Sequence, residues 1–256
     1  MSFKQTWKNL NLNRIAWLQW QGSLYFPFWD MVFKYPPLVA FNAILRLKSR
    51  LTGSGIIHTI GDSHVAPFIY RCPFLVQHIS QATAHNLCEE KSFSRSSYYL
   101  DHFLTKVDKG KDAVFLVFGE IDARAQIYLH YGRSGRTASI ESLIDNTVQR
   151  YGSVICRLRD EGYRVAVHGL PPASNKEFIT ALPFSGKPRE RNEIFRVFNR
   201  KLGDFCRSAG VVFVDVQSIA CDGQGYFNKR YLADEVHCNS RIVPFARRAI
   251  MPLLKK

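Results

Sequence analysis

Short apolar runs, rich in β-branched and aromatic residues, recur along the chain with longer amphipathic stretches between them. The runs cover residues 56–60 (IIHTI), 113–118 (AVFLVF), 163–170 (YRVAVHGL) and 211–216 (VVFVDV). Runs of this length and composition are typical of buried β-strands. The pattern therefore predicts a strand at each of the four positions.

Two of the intervening stretches repeat apolar residues at the spacing of an α-helix. The first comprises Ile140, Leu143, Ile144, Val148, Tyr151, Ile155 and Leu158, and the second comprises Ile194, Val197, Phe198, Leu202, Phe205 and Ala209. Gly162 follows the first and Gly210 the second, and a glycine in this position commonly ends a helix. Strands that alternate with helices predict a mostly parallel sheet with helices on both faces, an α/β fold.

The first 50 residues have a different pattern. They contain all four tryptophans of the chain and seven basic residues against a single acid. Residues 15–29 are uncharged, but Pro27 and polar residues interrupt them, so they fall short of the roughly 20 apolar residues that a membrane span needs. We expect residues 1–52 to form an aromatic-rich extension of an α/β domain at 53–256. The extension either packs on that domain, which is the favoured interpretation, or contacts an anionic membrane surface.

Composition narrows the class of protein and its compartment. With 256 residues, of which 13% are aromatic and 22% charged, the chain can bury a core without covalent staples. The six cysteines form no C-x-x-C pair and no regular spacing, which argues against a zinc site or a disulfide framework and favours a reducing compartment. No signal peptide is evident. We therefore expect a cytoplasmic protein, associated with the cytoplasmic face of a membrane if the extension is an anchor.

The formal charge of +14 suggests an anionic partner. Nucleic acid, an anionic membrane and an anionic substrate would all fit such a charge. The basic residues are scattered, however, and no nucleic-acid-binding motif accompanies them. Nucleic acid is therefore not an expected partner.

Polar residues follow two of the predicted strands and precede a final helix. They are Gly61-Asp62-Ser63, residues 119–124 (GEIDAR) and residues 234–239 (DEVHCN). Open α/β sheets bind ligands at the carboxyl ends of their strands, and a serine, a histidine and an acid that meet there can carry out nucleophilic acyl transfer. Ser63, His237 and Asp234 are the candidates, with Glu235 as a substitute acid. Taken singly, these residue types are common in turns, helix caps and surfaces, so their combination carries the hypothesis.

The same motifs resemble sequence blocks of the SGNH, or GDSL, hydrolases. Residues 61–64 (GDSH) are similar to block I, residues 118–124 (FGEIDAR) lie where block III (G-x-N-D) is expected, and residues 234–237 (DEVH) match the D-x-x-H of block V. The resemblance spans residues 56 to about 250. It implies a three-layer α/β/α, flavodoxin-like fold, a catalytic triad of Ser63, Asp234 and His237, and no metal or cofactor.

The chain departs from this family in the groups that hold the oxyanion. Ile121 stands where the block III asparagine would donate a side-chain hydrogen bond, and Ser80 stands in the region of the block II glycine. The backbone N–H of Ser80 survives the change of side chain. Loss of one oxyanion donor typically costs about a hundredfold to a thousandfold in rate.

Arg124 is the candidate for a replacement donor. A guanidinium can donate to an oxyanion or hold an anionic part of a substrate, but Arg124 could equally form a structural ion pair with Glu120 or Asp122. Asp62 and Gly119, in blocks I and III, complete the set of candidate oxyanion-binding or substrate-binding residues.

The expected activity is that of a serine esterase. The combination of GDSH with FGEIDxR is similar to domains found beside glycan-handling proteins, which favours removal of a small acyl group such as acetyl from a glycan or related metabolite. Two alternatives stay open: an O-acyltransferase that uses the same triad, and a catalytically silent module that binds a glycan or another anion.

Overall fold

A parallel β-sheet forms the centre of the computed structural model, which describes residues 35–177 and 186–254. In chain order the elements are α1 (Tyr35–Thr52), β1 (Ile57–Gly61), a 3₁₀ helix (Ser63–Phe68), β2 (Phe74–His78), α2 (Ser96–Leu104), β3 (Ala113–Val117), a π-helical turn (Asp122–Gln126), α3 (Ile127–Arg133), α4 (Ile140–Asp160), β4 (Val165–His168), α5 (Pro188–Ser208), β5 (Val212–Val214), α6 (Val216–Ala220), a 3₁₀ helix (Ser240–Ile242), α7 (Val243–Ile250) and a last 3₁₀ helix (Met251–Leu253).

The five strands pair in the order β2-β1-β3-β4-β5, and all the pairs are parallel. Gly61, the last residue of β1, lies opposite His78 of β2 and Val117 of β3. The carboxyl ends of these three strands are therefore level, so the loops that follow them start side by side.

Side chains of the sheet alternate between two apolar clusters. Val114 and Leu116 of β3 point into the cluster formed with α4 and α5, whereas Phe115 and Val117 point into the one formed with α7. The sheet is thus covered by helices on both faces. This confirms the predicted α/β/α architecture with a parallel sheet.

All four predicted strands are present, and the structure adds a fifth, β2, which the sequence pattern did not predict. Only Phe74, Leu75 and Val76 are apolar in this strand, which ends in Gln77 and His78. Three apolar residues at a sheet edge give too short a signal for a strand to be predicted.

Both predicted helices are present as α4 and α5. Gly162 and Gly210 follow their C-cap residues with φ of +88° and +67°, a left-handed conformation that favours glycine. Helix α5 begins earlier than its apolar pattern does, because Pro188 occupies its first turn and the Glu190 carboxylate accepts a hydrogen bond from the backbone N–H of Lys187 at 2.6 Å.

Part of the predicted N-terminal extension is helix α1, which packs on the edge of the sheet. Leu45 is buried against Ile56 and Leu75, and the Asn42 side-chain amide donates a 3.0 Å hydrogen bond to the Val76 carbonyl of β2. Residues 1–34 of the extension lie outside the described residues. Among the helices of the described ranges, none has the length and hydropathy required to cross a membrane.

Candidate active site

The position of Ser63 is set by a tight turn at the end of β1. Gly61 lies so close to β3 that a Cβ there would be 2.1 Å from the Val117 carbonyl oxygen, so only glycine fits. The next residue, Asp62, accepts a hydrogen bond from the backbone N–H of His64 at 2.9 Å and caps the 3₁₀ helix that begins at Ser63. Strand spacing and this cap together hold Ser63 at the carboxyl edge of the sheet.

A continuous chain of hydrogen bonds links Ser63, His237 and Asp234. The Ser63 hydroxyl lies 2.8 Å from Nε2 of His237, and Nδ1 of His237 lies 2.7 Å from the Asp234 carboxylate. An N–H at Nδ1 that donates to Asp234 leaves Nε2 as the acceptor for the Ser63 O–H. The structure therefore brings together the three residues that the sequence predicted as a triad.

The D-x-x-H spacing works through a tight loop. Oδ1 of Asp234 accepts hydrogen bonds from the backbone N–H groups of Val236 and His237, both at 2.9 Å, while its other oxygen holds the imidazole. Glu235, the substitute acid, instead pairs with Lys176 at 2.8 Å. Asp234 is thus the acid that orients His237.

The charge of Asp234 is stabilised by its partners. Partial burial acts to raise the pKa of Asp234, but the hydrogen bond and charge of His237 and the two backbone donors outweigh it, so the pKa lies well below its usual range. The carboxylate consequently stays ionised and can stabilise an imidazolium at His237 during a reaction.

A second histidine, His64, packs against His237 and belongs to a buried ion cluster of Asp62, His64, Glu120 and Arg124. The two imidazole rings lie 4.6 Å apart between centroids. Nδ1 of His64 is 3.0 Å from Asp62, its Nε2 is 3.9 Å from Glu120, and Nε of Arg124 donates to Glu120 at 2.6 Å. The two carboxylates and the two bases alternate, so the charges in the cluster balance when His64 is protonated.

Burial acts in opposition to the charges in this cluster. It acts to lower the pKa of His64, but the negative charges of Asp62 and Glu120 outweigh it and raise that pKa. It acts to raise the pKa of Asp62, but the charge and hydrogen bonds of His64 leave that pKa lowered. Both shifts favour the charged forms of His64 and Asp62, next to His237.

The cluster changes the interpretation of two candidate residues. Arg124 forms the ion pair with Glu120 that was the structural alternative to an oxyanion donor, and Asp62 directs a carboxylate oxygen to His64. Sequence analysis missed the role of His64 altogether. The four-residue spacing of Glu120 and Arg124, that of a pair on one helical face, was a signal for their ion pair but not for His64.

Ser80 and Gly119 lie near the same edge of the sheet. Ser80 is the second residue after β2, and the N–H of its neighbour Ile79 donates to the Gly61 carbonyl at 2.8 Å, two residues before Ser63. Gly119 has a φ of +111°, and a Cβ there would come within 3.0 Å of the Leu170 side chain. Glycine is therefore required at 119 by backbone geometry and packing.

Asp122 ties the loop after β2 to the loop after β3. Its buried carboxylate accepts hydrogen bonds from the backbone N–H groups of Ala84 at 2.7 Å and His85 at 3.1 Å. Burial nevertheless outweighs these bonds and raises the pKa of Asp122 to about 7. Asp122 also begins the π-helical turn, a distortion that is frequent at functional sites.

The raised pKa of Asp122 predicts that stability depends on pH. A carboxyl group with a raised folded-state pKa contributes stability that is fully present below its unfolded pKa of about 3.9 and is lost as the pH rises through the folded-state value of about 7. We expect the Tm of the wild-type protein to fall from about pH 5 to pH 8 more steeply than that of the Asp122→Asn variant. Thermal unfolding across this range tests it. The other titrating groups, His64 included, are common to both proteins, so equal slopes would contradict the prediction.

Metal-ligating side chains do not gather elsewhere in the described ranges. Within residues 35–177 and 186–254, no group of three or more His, Cys, Asp or Glu side chains is arranged to hold a metal ion.

Comparison with known proteins gives the fold a class. No family model matches the sequence, and no match is found among curated proteins. Solved structures do match. A Streptococcus pneumoniae protein named for platelet activating factor has a TM-score of 0.54 at 16% identity, over 92% of this chain and 99% of that chain. A GDSL-like lipase from Bacteroides thetaiotaomicron has a TM-score of 0.52 at 12% identity, over 83% and 97%.

A third similar structure is a catalytic mutant of an acetylxylan esterase from Geobacillus stearothermophilus, with a TM-score of 0.51 at 15% identity, over 79% of this chain and 96% of that chain. At these identities the likeness concerns the fold. The chain thus has the fold of the SGNH, or GDSL, hydrolases, as the three sequence motifs predicted.

Proposed function

We propose that the protein is a serine ester hydrolase with Ser63 as its nucleophile. The observation that carries the proposal is the hydrogen-bonded chain from the Ser63 hydroxyl through His237 to Asp234, at 2.8 and 2.7 Å. Distances of this size are what a nucleophile and its general base require, and the acid that orients the base is also in place.

The proposed reaction proceeds in two steps through an acyl-enzyme. The Ser63 oxygen attacks the ester carbonyl while Nε2 of His237 takes its proton, and the imidazolium, stabilised by Asp234, then returns that proton to the leaving alcohol. In the second step His237 takes a proton from water, the resulting nucleophile attacks the acyl carbon, and the Ser63 hydroxyl is restored.

Backbone N–H groups are the proposed oxyanion donors. The proposed donors are the N–H of Ser63, at the start of its 3₁₀ helix, and the N–H of Ser80, whose neighbour Ile79 is hydrogen-bonded to the Gly61 carbonyl. Ile121 has no donor in its side chain. Since the Arg124 guanidinium binds Glu120, we assign Arg124 a structural role in the cluster and derive no oxyanion bond from it.

The proposed substrate is a glycan or a related metabolite that carries a small acyl group such as acetyl. The acetylxylan esterase among the similar structures acts on an ester of this kind, and the GDSL-like lipase is also named for ester chemistry. O-acyl transfer remains the second candidate, because a sugar hydroxyl in place of water in the second step would need the same Ser63 and His237. The intact hydrogen-bond chain favours either enzyme over a catalytically silent binding module.

Labelling by a fluorophosphonate probe tests whether Ser63 is an activated nucleophile. We expect the wild-type protein to be labelled and the Ser63→Ala variant to remain unlabelled, because a serine without an active base reacts slowly. Ser208→Ala, which removes an exposed hydroxyl at the end of α5, is the matched control and should be labelled like wild type. A wild-type protein that resists the probe would favour the silent module.

The substrate class needs a separate assay. We expect hydrolysis of short p-nitrophenyl esters and release of acetate from acetylated glycans, both absent in Ser63→Ala. Adding a free sugar acceptor separates the two enzyme candidates, because an acyltransferase would form an acylated sugar at the expense of free acetate. Labelling without turnover of any ester would contradict the hydrolase proposal.

A further inference from the structure

Helix α1 has two apolar faces, and other residues in the described part of the chain cover only one of them. The inner face carries Leu45, buried against the sheet, and Asn42, bonded to β2. The outer face carries an apolar stripe of Ala40, Ile44, Leu47 and Leu51, spaced at i, i+4, i+7 and i+11, which we call the outer stripe. Its three large side chains are 66%, 57% and 78% exposed. A helix on a protein surface normally turns charged and polar residues outward, so this stripe needs an explanation.

Positive charge flanks the outer stripe. At about 100° per residue, Lys48 lies on one side of the stripe and Arg50 on the other, and both are exposed. The helix contains no Asp or Glu. Tyr70, which packs edge-on against Phe41 with 5.5 Å between ring centroids, is 46% exposed next to the helix. Apolar residues bordered by Lys, Arg and tyrosine are typical of a helix that lies in a membrane interface.

We propose that the outer stripe docks on a bilayer surface that contains anionic phospholipid. The apolar side chains would enter the boundary between headgroups and acyl chains while Lys48 and Arg50 contact lipid phosphates. A second copy of this chain fits less well, since pairing two such stripes would bring their basic flanks together. The proposal does not depend on the catalytic activity.

Vesicle flotation with the full chain tests the proposal. We expect binding to vesicles of phosphatidylcholine with phosphatidylglycerol, much weaker binding to phosphatidylcholine alone, and a loss of binding as salt is raised. The variant Ile44→Glu/Leu47→Glu/Leu51→Glu should weaken binding to anionic vesicles at least about a hundredfold, because three apolar side chains no longer enter the interface. Lys48→Ala/Arg50→Ala should weaken it about twentyfold, and only on anionic vesicles.

Val39→Glu is the matched control. Val39 lies on the same helix and is 64% exposed, but it is about 110° around the helix from the centre of the outer stripe. We expect its binding to stay within about fivefold of wild type, the size of one added negative charge near the surface.

Three outcomes would overturn the proposal. If the wild-type chain floats with neither kind of vesicle, the protein has no surface that binds lipid. A triple Glu variant that binds as tightly as wild type would show that residues other than the outer stripe bind lipid. If vesicles do not bind and the triple variant either loses Tm or changes from dimer to monomer in size-exclusion chromatography, the stripe is covered by residues 1–34 of the same chain or by a second copy.

Discussion

The Ser63→Ala and His237→Ala variants are each expected to lower kcat/KM for an ester substrate by at least about 10⁴-fold, with Tm close to that of wild type. Both changes remove a member of the hydrogen-bonded chain, and triad members act as a unit, so the double variant should lose little more than either single one. The measurement is steady-state hydrolysis of a p-nitrophenyl ester alongside thermal unfolding.

Asp234→Asn is expected to keep about tenfold to a hundredfold more activity than His237→Ala, because the imidazole remains as a base but is held less well. Glu235→Gln is the matched control: it changes the neighbouring acid, which pairs with Lys176 instead of His237. Its activity should stay within severalfold of wild type. Comparable losses in Glu235→Gln and Asp234→Asn would contradict the assignment of Asp234 as the orienting acid.

Arg124→Ala is expected to lower the free energy of unfolding by about 3–5 kcal/mol, because it leaves the buried carboxylate of Glu120 without its ion-pair partner. Denaturant unfolding measures this loss. Arg207→Ala provides the control. Arg207 also pairs with an acid on its own helix, Asp204 three residues earlier, but both side chains are exposed. Exposed ion pairs contribute about 0–1 kcal/mol to stability. Equal losses in both variants would contradict the role of the buried cluster.

The double variant Arg124→Met/Glu120→Gln separates a structural role from a catalytic one. Removing both charges should restore much of the stability, because neither partner is left as an unpaired ion. If Arg124 acts only through the cluster, the activity should recover together with stability when it is assayed at a temperature well below the Tm of the variant. An activity that stays about a hundredfold low in a stable double variant would instead make Arg124 an oxyanion donor.

The sequence predicted the sheet, its long helices and the residues that meet at its edge, because each of these leaves a local signal. Buried strands require apolar runs, and D-x-x-H fixes an acid and a histidine within one loop. Strand β2 was missed since an edge strand needs few apolar residues. The pairing of His64 with Glu120 was missed because it joins residues 56 positions apart and depends on how two loops pack.

The N-terminal extension also has a feature that depends on packing and leaves no local signal in the sequence. The balance of aromatic and basic residues in residues 1–52 indicated an unusual segment, but two interpretations remained. Within the described residues, helix α1 packs on the sheet through Asn42 and Leu45, and at the same time it presents the outer stripe to solvent. Composition alone could not reveal that one helix has one face packed on the sheet and another apolar face exposed to solvent, because that depends on which side of the helix meets the sheet.

The close approach of β1 to β3 at Gly61 has a consequence for comparing this chain with others of the same fold. Because a Cβ at this position would collide with the Val117 carbonyl, selection for folding alone would retain the glycine. Asp62 would be retained in the same way as the cap of the turn. A descendant that had lost its activity could therefore keep Gly61 and Asp62 of the GDSH motif unchanged. Under the proposed function, Ser63, Asp234 and His237 are the positions whose joint replacement would distinguish an inactive descendant from a working enzyme.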